Sequence, residues 1–159
     1  MSIDLSTYGG LTRAAGYPGQ IVDLNPATIE SLTNDQAIGI DFGIAVARSA
    51  ADNTCKAPAA DGDKIIGISV RHPIRPADVN GNLVYAQNDS LPILRAGWIY
   101  ATATENVSRG DQVLSLTAQN GKLSGVTSGA AGAGRVAVPG ALWETTTAAG
   151  QLGIVRIAN

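Results

Sequence analysis

Covalent or metal chemistry needs nucleophiles, bases or ligands, and this chain of 159 residues has few of them. Cys55 is its only cysteine and His72 its only histidine. Nucleophilic catalysis by such a pair requires thiol and imidazole to meet in space. Cys55 falls in a polar, Ala-rich stretch (residues 50–63) that reads as a loop, and His72 precedes Pro73 at a strand end. A loop cysteine and a strand-end histidine are expected, not a catalytic dyad. Serines and aspartates are plentiful, but no nucleophile-elbow pattern accompanies them. One His and one Cys do not make a structural zinc site. Asp61-Gly62-Asp63, with Asp52 upstream, lacks the spaced ligands and closing Glu of a calcium loop and reads as a turn. Gly129, Gly132 and Gly134 have the density of a phosphate-binding loop, yet a strand-like run follows them where such a loop would open a helix. The expectation is a protein with no catalytic residues, no metal and no cofactor.

Recognition motifs remain. Arg109-Gly110-Asp111 is a tripeptide used in adhesion. Here it precedes the alternating run QVLSL, as Gly62-Asp63 precedes KIIGISV. Gly supplies positive φ and Asp bonds its own backbone, so a turn opening a strand is the expected role. Asn88 and Asn106 sit in glycosylation sequons, which no visible secretory signal supports. Trp98 lies within a β-rich run and is expected in the core. Trp143, in a loop-like segment, stands equally as core residue or partner anchor.

The elements that would position these residues are strands. Ile38, Ile40, Phe42, Ile44 and Val46 alternate with small or polar residues, a period of two. Further runs occur at 64–70, 83–86, 93–103, 112–118, 122–126, 135–138 and 152–158. Asn80-Gly81 and Asn120-Gly121 are hairpin signals, and Gly97 marks a bulge or bend. Short strands at regular spacing indicate an all-β sandwich or barrel. Helical signal is confined to a single turn near Asn25-Pro26. Residues 1–20 read as an extended arm and 21–159 as one β domain, with no convincing internal repeat.

Bulk composition narrows the partners. Charged residues are 15%, well below the roughly 25% of an average globular protein, which implies that other subunits cover part of the surface. The net charge is −2 and the eleven basic residues are scattered, so nucleic acid is not an expected partner. No apolar run approaches a membrane span. A lone cysteine needs no oxidising compartment.

The runs FGIAVAR (42–48), IIGISVRH (65–72), QNDSLPILRAGWIYA (87–101), RGDQV (109–113) and WETTTAAGQLGIVRI (143–157), with AAGYPGQIVD (14–23), fall in an order that resembles the small cement, or decoration, proteins of tailed-phage capsids. That resemblance implies a jelly-roll-like β-sandwich or barrel with an extended N-terminal arm. It implies binding on the outer face of the virion shell, bridging neighbouring HK97-like major capsid proteins, after synthesis in the host bacterial cytoplasm. Self-association is expected, a dimer favoured over a trimer. Tyr8, Arg13 and Tyr17 of the arm, with Trp143, are the candidate partner-binding residues. The alternative is a virion adhesion or carbohydrate-binding β module.

Overall fold

The structure, a computed structural model, describes residues 16–72, 83–126 and 131–158, the side chains of 23–26 excepted. Its strands are β1 (Ile21–Asn34), β2 (Ala45–Arg48), β3 (Thr54–Lys56), β4 (Ile65–Ser69), β5 (Ser90–Thr102), β6 (Gln112–Leu116), β7 (Lys122–Gly125), β8 (Arg135–Trp143) and β9 (Leu152–Ile157). The all-β expectation is met, and the sheet is rolled into a barrel-like, sandwich-like body.

Neighbouring strands run in the order β1-β3-β2-β4-β5-β9-β8-β6-β7, and β1 also pairs with β5. That extra pairing closes β1, β3, β2, β4 and β5 into one barrel. The remaining strands curl back from β5, and the Thr104 N–H donates to the Leu123 carbonyl at 2.9 Å, drawing β7 to the end of β5. Strand β5 therefore serves both halves. It pairs with β4 at Ile93 and Leu94, then with β9 from Gly97 onward. Gly97 has φ +129 at this handover, where the β1 register also slips, so the predicted bend is the point at which β5 leaves one barrel for the other.

The two cores explain the composition of the 38–48 run. Ile40, Phe42, Ile44 and Val46 are buried in the first core with Leu32, Cys55, Tyr85, Leu91 and Ile93. Ala45 and Ala47, on the opposite face of β2, are buried in the second core with Ile68, Leu94, Ile99, Val113, Leu123, Trp143 and Val155. At Ala45 and Ala47 the small face is thus not a solvent face. It is the seam between two cores, where a larger side chain would not fit. Ahead of the regular strand, which begins at Ala45, Ile38 is 62% exposed and Asp41 is exposed as well.

The Asn25-Pro26 region corrects the sequence reading. No helical turn forms there; the backbone belongs to β1, as an irregularity between the pairings of Asp23 with Trp98 and Thr28 with Ala96, and tertiary pairing on both sides overrides the local signal. Strands β1 and β3 had no sequence signal of their own. The predicted 83–86 strand reduces to one bridge, Tyr85 to Ile40, and Asn80-Gly81 lies outside the described residues. Asn120-Gly121 does form the β6–β7 turn, with φ +53 and +85. Two buried polar side chains bond the backbone: the Ser69 hydroxyl donates to the Asp41 carbonyl at 2.7 Å, and the Asn34 amide donates to the carbonyls of Tyr85 and Ala86; the buried Ser115 hydroxyl has no such partner.

Two tests follow from this packing. A Cβ on Gly67 of β4 would lie 2.2 Å from the Leu94 carbonyl oxygen. Gly67→Ala should therefore cost about 1–3 kcal/mol in urea denaturation, the usual range for an overpacked core. Glu30 of β1 pairs with Arg95 of β5 at 2.5 Å and with Arg48 of β2 at 3.2 Å. The hydrogen bond from Arg95 chiefly, with both positive charges, holds its carboxyl below the ordinary value of 4.5. A depressed folded-state pKa stabilises above the unfolded value and ceases to do so as pH falls through the folded one. Glu30→Gln should lower the unfolding free energy from urea denaturation at neutral pH modestly, by about 1 kcal/mol or less for such exposed pairs, and the gap should close in acid.

Candidate functional site

The residues with covalent or metal-binding potential are committed to structure. Cys55 is not in a loop: it lies on β3, fully buried in the first core. Burial, and secondarily the charge of Asp35, pushes its thiol up to about 12, so it stays protonated at neutral pH and is no nucleophile. His72 stands exposed at the surface from which Cys55 is sealed. The Asp63 carboxylate accepts from the N–H groups of Ala59 and Ala60 at 2.8 and 3.0 Å and pairs with Lys56 at 2.7 Å. Burial opposes its charged form, but these partners outweigh burial and hold its pKa low. The Asp61 carboxylate accepts from the Gly134 N–H at 2.9 Å, so the glycine-rich segment offers that amide to the protein's own anion. Among the described residues, no three His, Cys, Asp or Glu converge as metal ligands would.

Arg109-Gly110-Asp111 is the turn that opens β6. Gly110 has φ +92, and the Asp111 carboxylate accepts from the Ser108 N–H at 2.7 Å. The turn has a counterpart forty residues on. Val107 and Thr147 exchange both backbone hydrogen bonds, at 2.9 and 3.0 Å. Gly110 N–H donates to the Trp143 carbonyl and Gly150 N–H to the Ala103 carbonyl, each at 2.7 Å. Trp143 N–H donates to the Asp111 carbonyl at 2.9 Å and Ala103 N–H to the Gln151 carbonyl at 3.0 Å. Residues 103–111 and 143–151 are therefore two copies of one backbone motif, locked together reciprocally. Their sequences, ATENVSRGD and WETTTAAGQ, share only the glycine, Gly110 and Gly150, which both need positive φ. A repeat carried by backbone geometry leaves almost no residue signature, which is why the sequence shows none.

The tryptophans separate. Trp143 is 0% exposed at the end of β8, its indole N–H donating to the Ser124 carbonyl at 2.9 Å. This corrects the anchor reading: Trp143 fills the second core and offers no surface to a partner. Trp98 is half-buried on the outer face of β5.

Of the arm residues, Tyr8 and Arg13 lie outside the described residues. Tyr17 is 59% exposed on a rigid root. Residues 17–20 form a turn, Gly19 N–H donates to the Tyr100 carbonyl at 2.8 Å, and Arg71 N–H donates to the Gly19 carbonyl at 2.7 Å. The Arg71 guanidinium lies 4.8 Å from the Tyr17 ring centroid and 5.4 Å from that of Phe42. Two clefts flank this root. One of about 620 Å³ is lined by Pro18, Phe42, Leu83, Glu105 and Lys122 among others. The other, about 510 Å³, is lined by Tyr17, Gln20, Ile21, Val70 and Arg71. This half-apolar surface with an exposed aromatic residue is the candidate partner surface among the described residues.

The model of a phage cement family, described as structural cement protein (E217 gp24/Pam3 gp6), matches residues 5–158. This chain belongs to that family. A solved structure described as the capsid of Myoviridae Phage XM1 contains a chain with a TM-score of 0.73 at 18% identity, covering 100% of this chain and 99% of that one. At that identity the likeness is one of fold. No curated protein matches. A cement protein's role is structural, consistent with side chains that serve turns and cores. Tyr17 is a candidate from the sequence, but its stack with Arg71 and Phe42 is not. Its partners are 54 and 25 residues from Tyr17 in the chain, and only the fold joins them.

The paired turns give a direct test of Arg109-Gly110-Asp111. Asp111→Ala should destabilise the chain by about 1.5–3 kcal/mol, the range for a hydrogen bond to a charged group, in thermal or urea unfolding. Arg109, whose side chain is 75% exposed, should be neutral when changed to Ala. Equal, negligible effects would return the tripeptide to the role of a displayed ligand.

Proposed function

We propose that this chain is a cement protein of the outer surface of a phage capsid, where it bridges adjacent HK97-like major capsid proteins and stabilises their mature arrangement. The observation that carries the reading is the family match over residues 5–158, and the exposed Tyr17 on its braced root supplies a surface for it. In this reading residues 1–20 act as the bridging arm and 21–159 as the body, with Tyr8, Arg13 and Tyr17 as arm contacts. The chain is made in the host bacterial cytoplasm, and self-association, as a dimer before a trimer, lets one unit touch more than one capsid subunit. The mechanism is linkage. A protein that binds the expanded lattice and not its precursor lowers the free energy of that state alone. Repetition over the shell turns a modest contact into a large resistance to bursting. The low charge of the chain suits a surface that spends its life against protein.

The test is titration of purified protein onto undecorated mature capsids, followed by sedimentation and light scattering. Saturable binding at fixed stoichiometry is expected, with no binding to free DNA. Tyr17→Ala should weaken binding by about thirtyfold, as loss of an aromatic hot spot does. Unchanged affinity would remove Tyr17 from the interface, and absence of any capsid binding would sink the cement reading.

A further inference from the structure

Among the described residues, every arginine but Arg71 has a carboxylate partner. Arg48 and Arg95 share Glu30, Arg109 and Arg156 share Glu144, and Arg135 pairs with Glu105. Arg71 lies instead against two rings, 4.8 Å from the Tyr17 centroid and 5.4 Å from that of Phe42. Such contacts act on the face of a guanidinium and use none of its N–H donors. They also hold it, and the Arg71 backbone N–H is itself fixed on the Gly19 carbonyl. A planar guanidinium braced in this way offers a ready fork for a carboxylate and has little rotamer freedom left to lose. Arg71 is half-buried, where less water competes for such a pair.

The surroundings suit an anion. Arg71 lines both clefts beside the arm root. In the larger one, of about 620 Å³, Lys122 stands exposed and makes no ion pair. Two carboxylates line the same cleft. Glu105 is held by both terminal nitrogens of Arg135, at 2.8 and 2.9 Å, and Asp41 is exposed and leaves Arg71 unpaired. Arg71 and Lys122 against Asp41 leave the cleft one positive charge in surplus, in a chain whose net charge is −2.

We propose that Arg71, with Lys122 on the same cleft, is the seat for an acidic side chain of the neighbouring capsid subunit. This rests on the cement reading and deepens it by giving the chemistry of the contact. The carboxylate takes the Arg71 fork, and its apolar neighbours lie against Pro18 and the 42%-exposed Leu83. A basic or uncharged segment would leave Arg71 half-buried and without an anion. Tyr17 then has two tasks, since it meets the partner and holds the guanidinium in place.

Titration onto undecorated mature capsids tests the seat, with the folding of each variant checked by urea unfolding. Arg71→Gln should weaken binding about tenfold or more and Lys122→Gln about two- to threefold, as a central and a rim charge do. Wild-type affinity should fall as salt rises, and Arg71→Gln should flatten that dependence. Equal affinity and equal salt dependence in all three proteins would overturn the seat and leave the cement reading intact, whereas a wild type that ignores capsids would sink both. A second readout looks for a bond gained. A carbodiimide joins an ammonium to a carboxylate it touches. On decorated capsids, Arg71→Lys should gain a cross-link from position 71 to an aspartate or glutamate of the major capsid protein, read by mass spectrometry. Decorated capsids that yield no such link from position 71 or from Lys122 would overturn the proposal, and so would a link from position 71 to a second copy of this chain.

Discussion

Strand β5 carries two barrels at once, and the rest of the structure follows from that constraint. Its first half pairs with β1 and β4, and its second half with β9 as well. A strand cannot lie on two closed surfaces without turning, and Gly97 at φ +129 is where it turns. Everything packed against β5 inherits the division. Strand β2 must be narrow on the side toward the second core, hence Ala45 and Ala47, and broad on the other, hence Val46. Gly67 has no side chain because the Leu94 carbonyl occupies that space. Glu30 then ties β1 to β5 and β2 across the closed barrel, with Arg95 and Arg48 as partners.

The second barrel is held by a different device. The turns at 103–111 and 143–151 satisfy one another's backbone groups, so two segments that would each expose unpaired N–H and C=O groups instead close a lock. Asp111 tightens one copy by capping Ser108, and Thr145 serves the other through the Ile154 N–H. Gln112 spans the irregularity of β8 at Pro139-Gly140, donating to the carbonyls of Val138 and Ala141. Polar side chains in this protein are spent on backbone geometry.

The interface reading rests on contrasts between alike residues. Trp143 and Trp98 differ by which face of a strand they occupy, so one fills a core and the other half-faces solvent. Tyr85 is buried, donating to the Val70 carbonyl at 2.6 Å, while Tyr17 is held outside by Arg71. The aromatic residues are few, and those left near the surface gather around the root of the N-terminal arm and the adjoining β5 face.

The sequence by itself determined the strand content, most strand positions, the Gly97 bend, the Asn120-Gly121 turn and the turn role of Arg109-Gly110-Asp111. Each of these is local: period-two burial and positive φ are written in neighbouring residues. The ordered series of runs also pointed to the family that the comparison later showed. Tertiary structure alone decided the rest. β1 runs through Asn25-Pro26 because β5 pairs with it on either side, at Asp23 with Trp98 and at Thr28 with Ala96, more than sixty residues away. Cys55 became a core residue because β1 and β2 flank it on either side. Trp143 turned inward because β8 closes the second barrel. The paired turns share one glycine and a backbone path, and the Tyr17–Arg71–Phe42 stack joins residues from distant parts of the chain. These features depend on long-range pairing, which no window of sequence contains.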